Sequence, residues 1–306
     1  MQAKTTHNKT KYAVVIGGSN IDICATSQND LGEKTSNPGK ITTSLGGVGR
    51  NIAENLALLG IDCRLISAVG LDIYGDRIIA QGKEVGINMD HVSKLKHSST
   101  STYVSILDQG GDMSIAISDM SIAEQINIDN HKTLIERAEI VIADTNIGEP
   151  TLTKLIGLMG NQPLIIDAVS DIKAPRVIPH LNSIHTLKVN NSEAISICGE
   201  NMTLKHMAKI LHKKGVKNIF ITLGEKGVFY SDGIHQDIIE TEPYKVINSN
   251  GAGDAFSAAV GFSYLQGWDI FKTAFFAQNA ARIALSHENT INPQMSIRAI
   301  NNLEEN

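Results

Sequence analysis

The feature that most constrains this chain is a repeated alternation of short apolar runs with helical patterns. YAVVIG (12–17), CRLISAVG (63–70), EIVIAD (139–144), PLIIDA (163–168), HTLKVN (185–190) and NIFITLG (218–224) are each six to eight residues long and rich in Val, Ile and Leu. Each reads as a buried strand. Val48, Ile52, Leu56 and Leu59 fall at helical spacing, and Gly60 ends the run. Further helical segments lie at 73–83, 149–159, 170–180 and 202–213, with two long ones at about 251–266 and 269–286. Strands separated by helices predict βαβ units, hence an α/β fold with a mainly parallel sheet covered by helices on both faces. Two segments stand outside this rhythm. Residues 20–45 contain the turn-rich SNPGK, and STYVSILDQGGDMSIAISD (101–119) reads as a hairpin turning at Gly110 and Gly111. They are expected to form a small β-rich lid, from about 20–45 and 98–119, on one domain spanning residues 1–306.

Composition narrows the function. With 42% hydrophobic and 19% charged residues, the chain has the balance of a globular protein. A net charge of -5 argues against nucleic acid as partner. No apolar run reaches the ~18–20 residues of a membrane span. The N-terminal MQAKTTHNKTK has no apolar signal core, and residues 1–10 read as a disordered tail. Cys24, Cys63 and Cys198 lie far apart, which fits a reducing cytoplasm better than a disulfide framework or zinc site.

Two glycine clusters carry chemistry. NSNGAGDAF (248–256) places Gly251, Ala252 and Gly253 at a helix start, where bare backbone N–H groups and the helix dipole suit an anion. Asp254 follows in the first turn. A carboxylate beside a bound phosphate is unexpected unless it takes a proton from an attacking hydroxyl. The simpler reading is a tight turn with an acidic residue favouring the helix N-terminus. SLGGVGRNIAENLALLG (44–60) again sets glycines before an amphipathic helix, with Asn51 in its first turn. It fails the dinucleotide fingerprint, lacking the third glycine and a strand-closing acid about 20 residues on. NPGKIT (37–42) fails as a phosphate loop, since Ile41 replaces the Ser/Thr and Lys34 stands at the first glycine position.

Taken in order, GGVGRNIAENLALLG and NGAGDAF resemble the two signatures of the PfkB, or ribokinase-like, carbohydrate kinases. GGSNIDI (17–23), KVNNSEA (188–194) and ITLGEKG (221–227) match further elements, so the resemblance covers essentially the whole chain. It implies ATP and Mg²⁺ as cofactors and a small sugar or nucleoside as acceptor. By this resemblance Asp254 is the general base, and Gly251, Ala252 and Gly253 stabilise charge on the transferred phosphoryl group. Asp22, Gly47 and Asn51 match sugar-binding positions, with Asn20 a neighbour or a turn former. Asn190 and Glu193 match an Asn-x-x-Glu element that organises Mg²⁺ and its waters, although a helix cap would use the same residues. Lys188 could approach phosphate or be a surface lysine. Thr222, Gly224 and Gly227 should line the nucleotide groove, and Asn279 matches a position near its base. Within the lid, Thr102 and Tyr103 could face the acceptor's base.

SNPGKI, GGVGRNIAENLALLG, ISAVGLDIYG, IHTLKVNNSEA and VINSNGAGDAF look closest to the branch that phosphorylates pseudouridine. Many relatives carry Asp where Asn248 stands, and that carboxylate helps place a monovalent cation. Asn lacks the charge, which leaves K⁺ activation open. Lids in this family often pair in trans, which implies a homodimer. Three rivals remain at this level: a kinase of ribose, fructose phosphate or an ordinary nucleoside, a non-catalytic sensor on the same fold, and an NAD-dependent enzyme, weakened by the failed fingerprint at 44–60.

Overall fold

The structure is a computed structural model that describes residues 11–200, 202–241, 244, 246–248 and 250–303, so the tail reading for residues 1–10 lies outside it. The strands are β1 (Ala13–Ile16), β2 (Asn20–Ser27), β3 (Gly39–Gly46), β4 (Cys63–Gly70), β5 (Val92–Leu95), β6 (Ser101–Leu107), β7 (Met113–Asp119), β8 (Ile140–Asp144), β9 (Leu164–Asp167), β10 (Thr186–Asn190), β11 (Asn218–Thr222), β12 (Val228–Ser231) and β13 (Gln236–Ile239). The helices are α1 (Val48–Leu58), α2 (Ile73–Glu84), α3 (Lys132–Glu136), α4 (Glu149–Leu158), α5 (Asn191–Cys198), α6 (Leu204–Lys213), α7 (Ala252–Leu265), α8 (Ile270–Leu285) and α9 (Ile297–Asn301).

Among the described residues one sheet holds nine strands in the order β13-β12-β11-β10-β9-β8-β1-β4-β5. From β5 to β11 every neighbouring pair is parallel, and β12 and β13 close the edge antiparallel. Apolar side chains on alternate faces require cover on both sides. On one face Ala13, Val15, Leu65 and Ile142 pack against α1, α2, α7 and α8. On the other, Val14, Ile16, Val141 and Ile166 meet Leu152 and Leu155 of α4, Ala194 of α5, and Met207 and Leu211 of α6. Side-chain caps fix five of the described helix starts: Asp72 accepts from Gly75 N, Asn190 from Glu193 N, Thr203 from His206 N, Asp269 from Lys272 N and Ser296 from Ala299 N.

The expected lid is present as a second sheet, ordered β3-β2-β6-β7, with β2 antiparallel to β3 and parallel to β6. The β6–β7 hairpin turns at Gly110 and Gly111, and Gly111 takes φ 88°. One element reading is corrected. The helix expected over 170–180 is a 3₁₀ helix at Ala174–Ser183. Pro175 and Pro179 have no N–H to donate, so a regular α-helical ladder cannot run through the segment. The antiparallel pair β12–β13 carries too short a period-2 pattern to stand out in the sequence. None of the described helices is long and apolar enough to cross a membrane.

Candidate active site

Parallel strands deliver their carboxyl ends to one edge, and in open α/β sheets that edge holds ligands where the strand order reverses. Here the reversal falls between β1 and β8. Asp144 ends β8, Asp167 ends β9, Asn190 ends β10 and Thr222 ends β11. The first turns of α1 and α7 descend onto the same edge. Gly17 and Gly49 allow it: a Cβ on Gly49 would lie 2.6 Å from Gly17 Cα, so only two bare backbones fit there.

Asp254 and Asn51, 203 residues apart, meet at this edge, where Asn51 Nδ2 donates to Asp254 Oδ2 at 2.8 Å. Beneath them Lys188 Nζ donates to Asp167 Oδ2 at 3.0 Å, and Ser257 Oγ donates to the same oxygen at 2.7 Å. Lys188 and Asp167 are both buried. A Cβ on Gly253 would lie 2.8 Å from Lys188 Nζ, so the glycine keeps room for the ammonium under the helix start. Gly251 takes φ 81°, and a Cβ there would strike Thr290 O at 2.2 Å. The first intrahelical bond of α7 runs from Ala255 N to Gly251 O at 2.9 Å, so the amides of Ala252, Gly253 and Asp254 precede the ladder and have no acceptor within the helix.

Burial, and then the negative charge of Asp167, push the Asp254 carboxyl up to about 7, against the Asn51 hydrogen bond and Lys188. Asp254 is only half-buried, so water on its open side screens part of this effect. Burial also raises Asp144 to about 6, opposed by hydrogen bonds from Gly18 N (2.9 Å) and Asn146 N (2.8 Å). For Lys188, burial favours the neutral amine. Asp167, Glu193 and Asp254 outweigh it, the net shift is upward, and the ammonium stays charged.

Across the cleft, Asn20 Nδ2 donates to Asp22 Oδ1 at 2.6 Å on β2. Burial raises Asp22, while Asn20 and Arg50 oppose the shift. Gly46 lies opposite Asn20 on β3, and a Cβ there would meet Asp22 Oδ2 at 2.4 Å. Gly47 precedes α1 with φ 100°, and a Cβ on it would meet Gly18 O at 2.5 Å. Tyr103 is the register partner of Asp22 and shares its face of the lid, whereas Thr102 points to the opposite face.

A cavity of about 960 Å³ opens beside β10 and β11, lined by Asn190, Ser192, Thr222, Gly224 and Lys226 among others. Gly227 is not part of this lining. Its φ of 99° and its approach to Ile239 O, 1.9 Å from an added Cβ, make it a turn residue packed on β13. Lys188 is likewise absent from the cavity wall and sits under Gly253. Asn190 and Glu193 form a capping box: Glu193 Oε2 accepts from Asn190 N at 2.7 Å and Oε1 from Asn190 Nδ2 at 2.8 Å. No group of three or more acidic, His or Cys side chains among the described residues could hold a metal ion. Buried Asn279 keeps Nδ2 without a hydrogen-bond partner and, like Gly227, is not part of the cavity lining. Asn248 Nδ2 donates to Glu288 O at 2.8 Å, and its Oδ1 accepts from Asn250 N at 2.9 Å, so its amide is used within the loop.

Sequence reasoning missed Asp144, Asp167, Ser257 and Arg50. The first two had a signal, because EIVIAD and PLIIDA each end or nearly end an apolar strand on a carboxylate. Chemically, the edge offers a carboxylate able to take a proton near neutral pH, beside amide donors and a buried ammonium. That set can deprotonate a hydroxyl next to a bound phosphate.

The model of the pfkB family carbohydrate kinases matches residues 10–297. Pseudouridine kinase of Escherichia coli K12 is 40% identical, covering 96% of this chain and 97% of that protein. Guanosine-inosine kinase of Exiguobacterium acetylicum is 30% identical over 92% of this chain and 97% of its own length. The structure of Arabidopsis thaliana ribokinase complexed with ribose and ATP superposes with a TM-score of 0.85 at 24% identity, covering 96% and 98% of the two chains.

A raised carboxyl makes a stability prediction. Between an unfolded value of about 3.9 and the folded value of about 7, the folded state binds the extra proton, so stability falls as pH rises through that window. Asp254→Asn removes that cost. In urea unfolding the variant is expected to match the wild type near pH 4 and to exceed it by on the order of 1–2 kcal/mol above pH 7, after discounting for the open side of the site.

Proposed function

The chain belongs to the pfkB family of carbohydrate kinases, and on that premise we propose that it transfers the γ-phosphoryl group of ATP to the 5′ hydroxyl of pseudouridine. The observation that carries the chemistry is the Asn51–Asp254 hydrogen bond beside the open amides of α7. The acceptor is supported by the pseudouridine kinase relative, which matches along nearly its full length.

Asp254 takes the proton of the attacking hydroxyl. The amides of Ala252 and Gly253 stabilise the charge that builds on the transferred group, and the Lys188 ammonium beneath them adds a fixed positive field. Asn20, Asp22 and Asn51 hold the ribose hydroxyls, a carboxylate accepting and the amides able to donate or accept. Asn190, Thr222 and Gly224 line the ATP cavity, and Asn279 offers its free amide nitrogen near the base. Among the described residues no cluster of acidic, His or Cys side chains forms a cage for a divalent ion. Mg²⁺ would therefore rest mainly on phosphate oxygens and water, with Glu193 acting through water, and would neutralise phosphate charge.

The lid also supports a homodimer. Strand register sets Ile41, Ala25, Ile106 and Ile115 in one row across the four strands, with Ile117 in the next row. Ile41, Ile115 and Ile117 are 69%, 55% and 68% exposed, an apolar face that a second lid would cover. Sedimentation velocity is expected to give a dimer that Ile115→Glu with Ile117→Glu converts to a monomer; a wild-type monomer at micromolar concentration contradicts it.

ADP release with MgATP tests the activity over pseudouridine, uridine, guanosine, ribose and fructose 6-phosphate. Turnover is expected on pseudouridine above the others, lost with EDTA, and reduced by about 10²–10⁴-fold in Asp254→Asn. Preference for another acceptor would keep the kinase and overturn the pseudouridine assignment. Saturable binding without ADP release from any acceptor would favour a sensor.

A further inference from the structure

We infer that Arg50 is a positioning residue for phosphoryl transfer: it fixes which way the Asn51 carboxamide faces and thereby keeps the amide nitrogen on Asp254. The inference rests on the reading of Asp254 as the base. Arg50 is 2% exposed, an expensive place for a charge, on a helix that also buries Asn51, Glu54 and Asn55 beside Ile52, Ala53 and Leu56. Its guanidinium is clamped from two helices. Nη2 donates to Glu54, one turn along α1, and to Gln81 Oε1 of α2 at 2.6 Å. Nη1 donates to Leu45 O at 3.3 Å and to Asn51 Oδ1 at 3.0 Å.

A guanidinium has donors only. Asn51 must therefore turn its oxygen to Arg50, which leaves its NH₂ group facing Asp254, an acceptor when ionised. Freed from Arg50, the carboxamide can flip and place its own oxygen against that carboxylate. The hydrogen bond that favours the ionised base is then lost, and the anion meets a repulsive dipole. No direct contact between Arg50 and Asp254 is needed, since the guanidinium acts through Asn51. Arg50 also faces Asp22, so one cation supports the carboxylates on both sides of the cleft.

A double-mutant cycle separates positioning from mere stabilisation of α1. Arg50→Met is paired with Glu54→Met so that no buried carboxylate is left unpaired, and the pair is measured in wild-type and Asn51→Ala backgrounds with MgATP and pseudouridine. In the wild-type background kcat is expected to fall about tenfold or more, with the acid limb of kcat/KM moving to higher pH. With Asn51→Ala already present, the same pair is expected to change kcat less than about twofold. Equal losses in both backgrounds, or an unchanged kcat and acid limb in the folded pair variant, would overturn the inference. Arg50→Lys provides the second variant should the pair fail to fold. It keeps the charge but loses the fork that reaches Asn51 and Glu54 together, so kcat should drop in the wild-type background only; an equal drop in both backgrounds again overturns the inference. Full turnover in Asp254→Asn would instead sink the reading of Asp254 as base, a result distinct from either outcome of the cycle.

Discussion

The buried Lys188–Asp167 ion pair is the constraint around which this edge of the sheet is built. Two charges removed from water are costly, and this pair is offset by short contacts and by the Ser257 hydroxyl on the same carboxylate oxygen. Its place under the start of α7 explains Gly253, since any side chain there would displace the ammonium. It also sets the electrostatics. Asp144, Asp167, Glu193 and Asp254 crowd one edge with Lys188 below and Arg50 alongside. If all four carboxylates were ionised, negative charge would exceed positive in a poorly hydrated site. Burial raises Asp254 to about 7 and Asp144 to about 6, and half-buried Asp254 is the one for which proton exchange with a ligand is proposed.

Two networks converge on that carboxylate from opposite directions. One comes from the sheet, through Asp167 and Lys188, and presses Asp254 toward the neutral form through Asp167 while the ammonium holds it back. The other comes from α1 and α2, through Arg50 and Asn51, and supports the ionised form by hydrogen bonding. Opposed pulls place its titration near neutrality, which is what the proposed role as a base would need. The same arrangement is expected to make the native fold less stable than a neutral side chain would, a common cost where a site is built for chemistry.

Much of the fold was legible because the strands are short, apolar and regularly separated by helical patterns. Where the reading failed, the cause was local backbone chemistry or tertiary context. Pro175 and Pro179 turned an expected α-helix into 3₁₀ geometry. The glycines of NGAGDAF were legible as a special helix start, yet their reasons lie elsewhere in the chain, at Thr290 for Gly251 and at Lys188 for Gly253. Glu193 is engaged in the capping box that its spacing from Asn190 allowed. Gly227 serves a turn against β13 and not the cavity wall. Arg50 was hidden for a physical reason: its hydrogen bond to α2 reaches Gln81, 31 residues along on another helix, which no local pattern displays. Ser257 was hidden in the same way, since its partner Asp167 lies 90 residues away.

The most direct test of this account is the titration of Asp254 itself. Carbon-13 NMR of aspartate-labelled, ligand-free protein, with Asp254→Asn to assign the resonance, follows the side-chain carboxyl as pH is raised. The account predicts an apparent midpoint of about 7. A midpoint near the ordinary aspartate value of about 3.9 would contradict it, because the edge would then hold its carboxylates ionised without strain and the poised base would not exist.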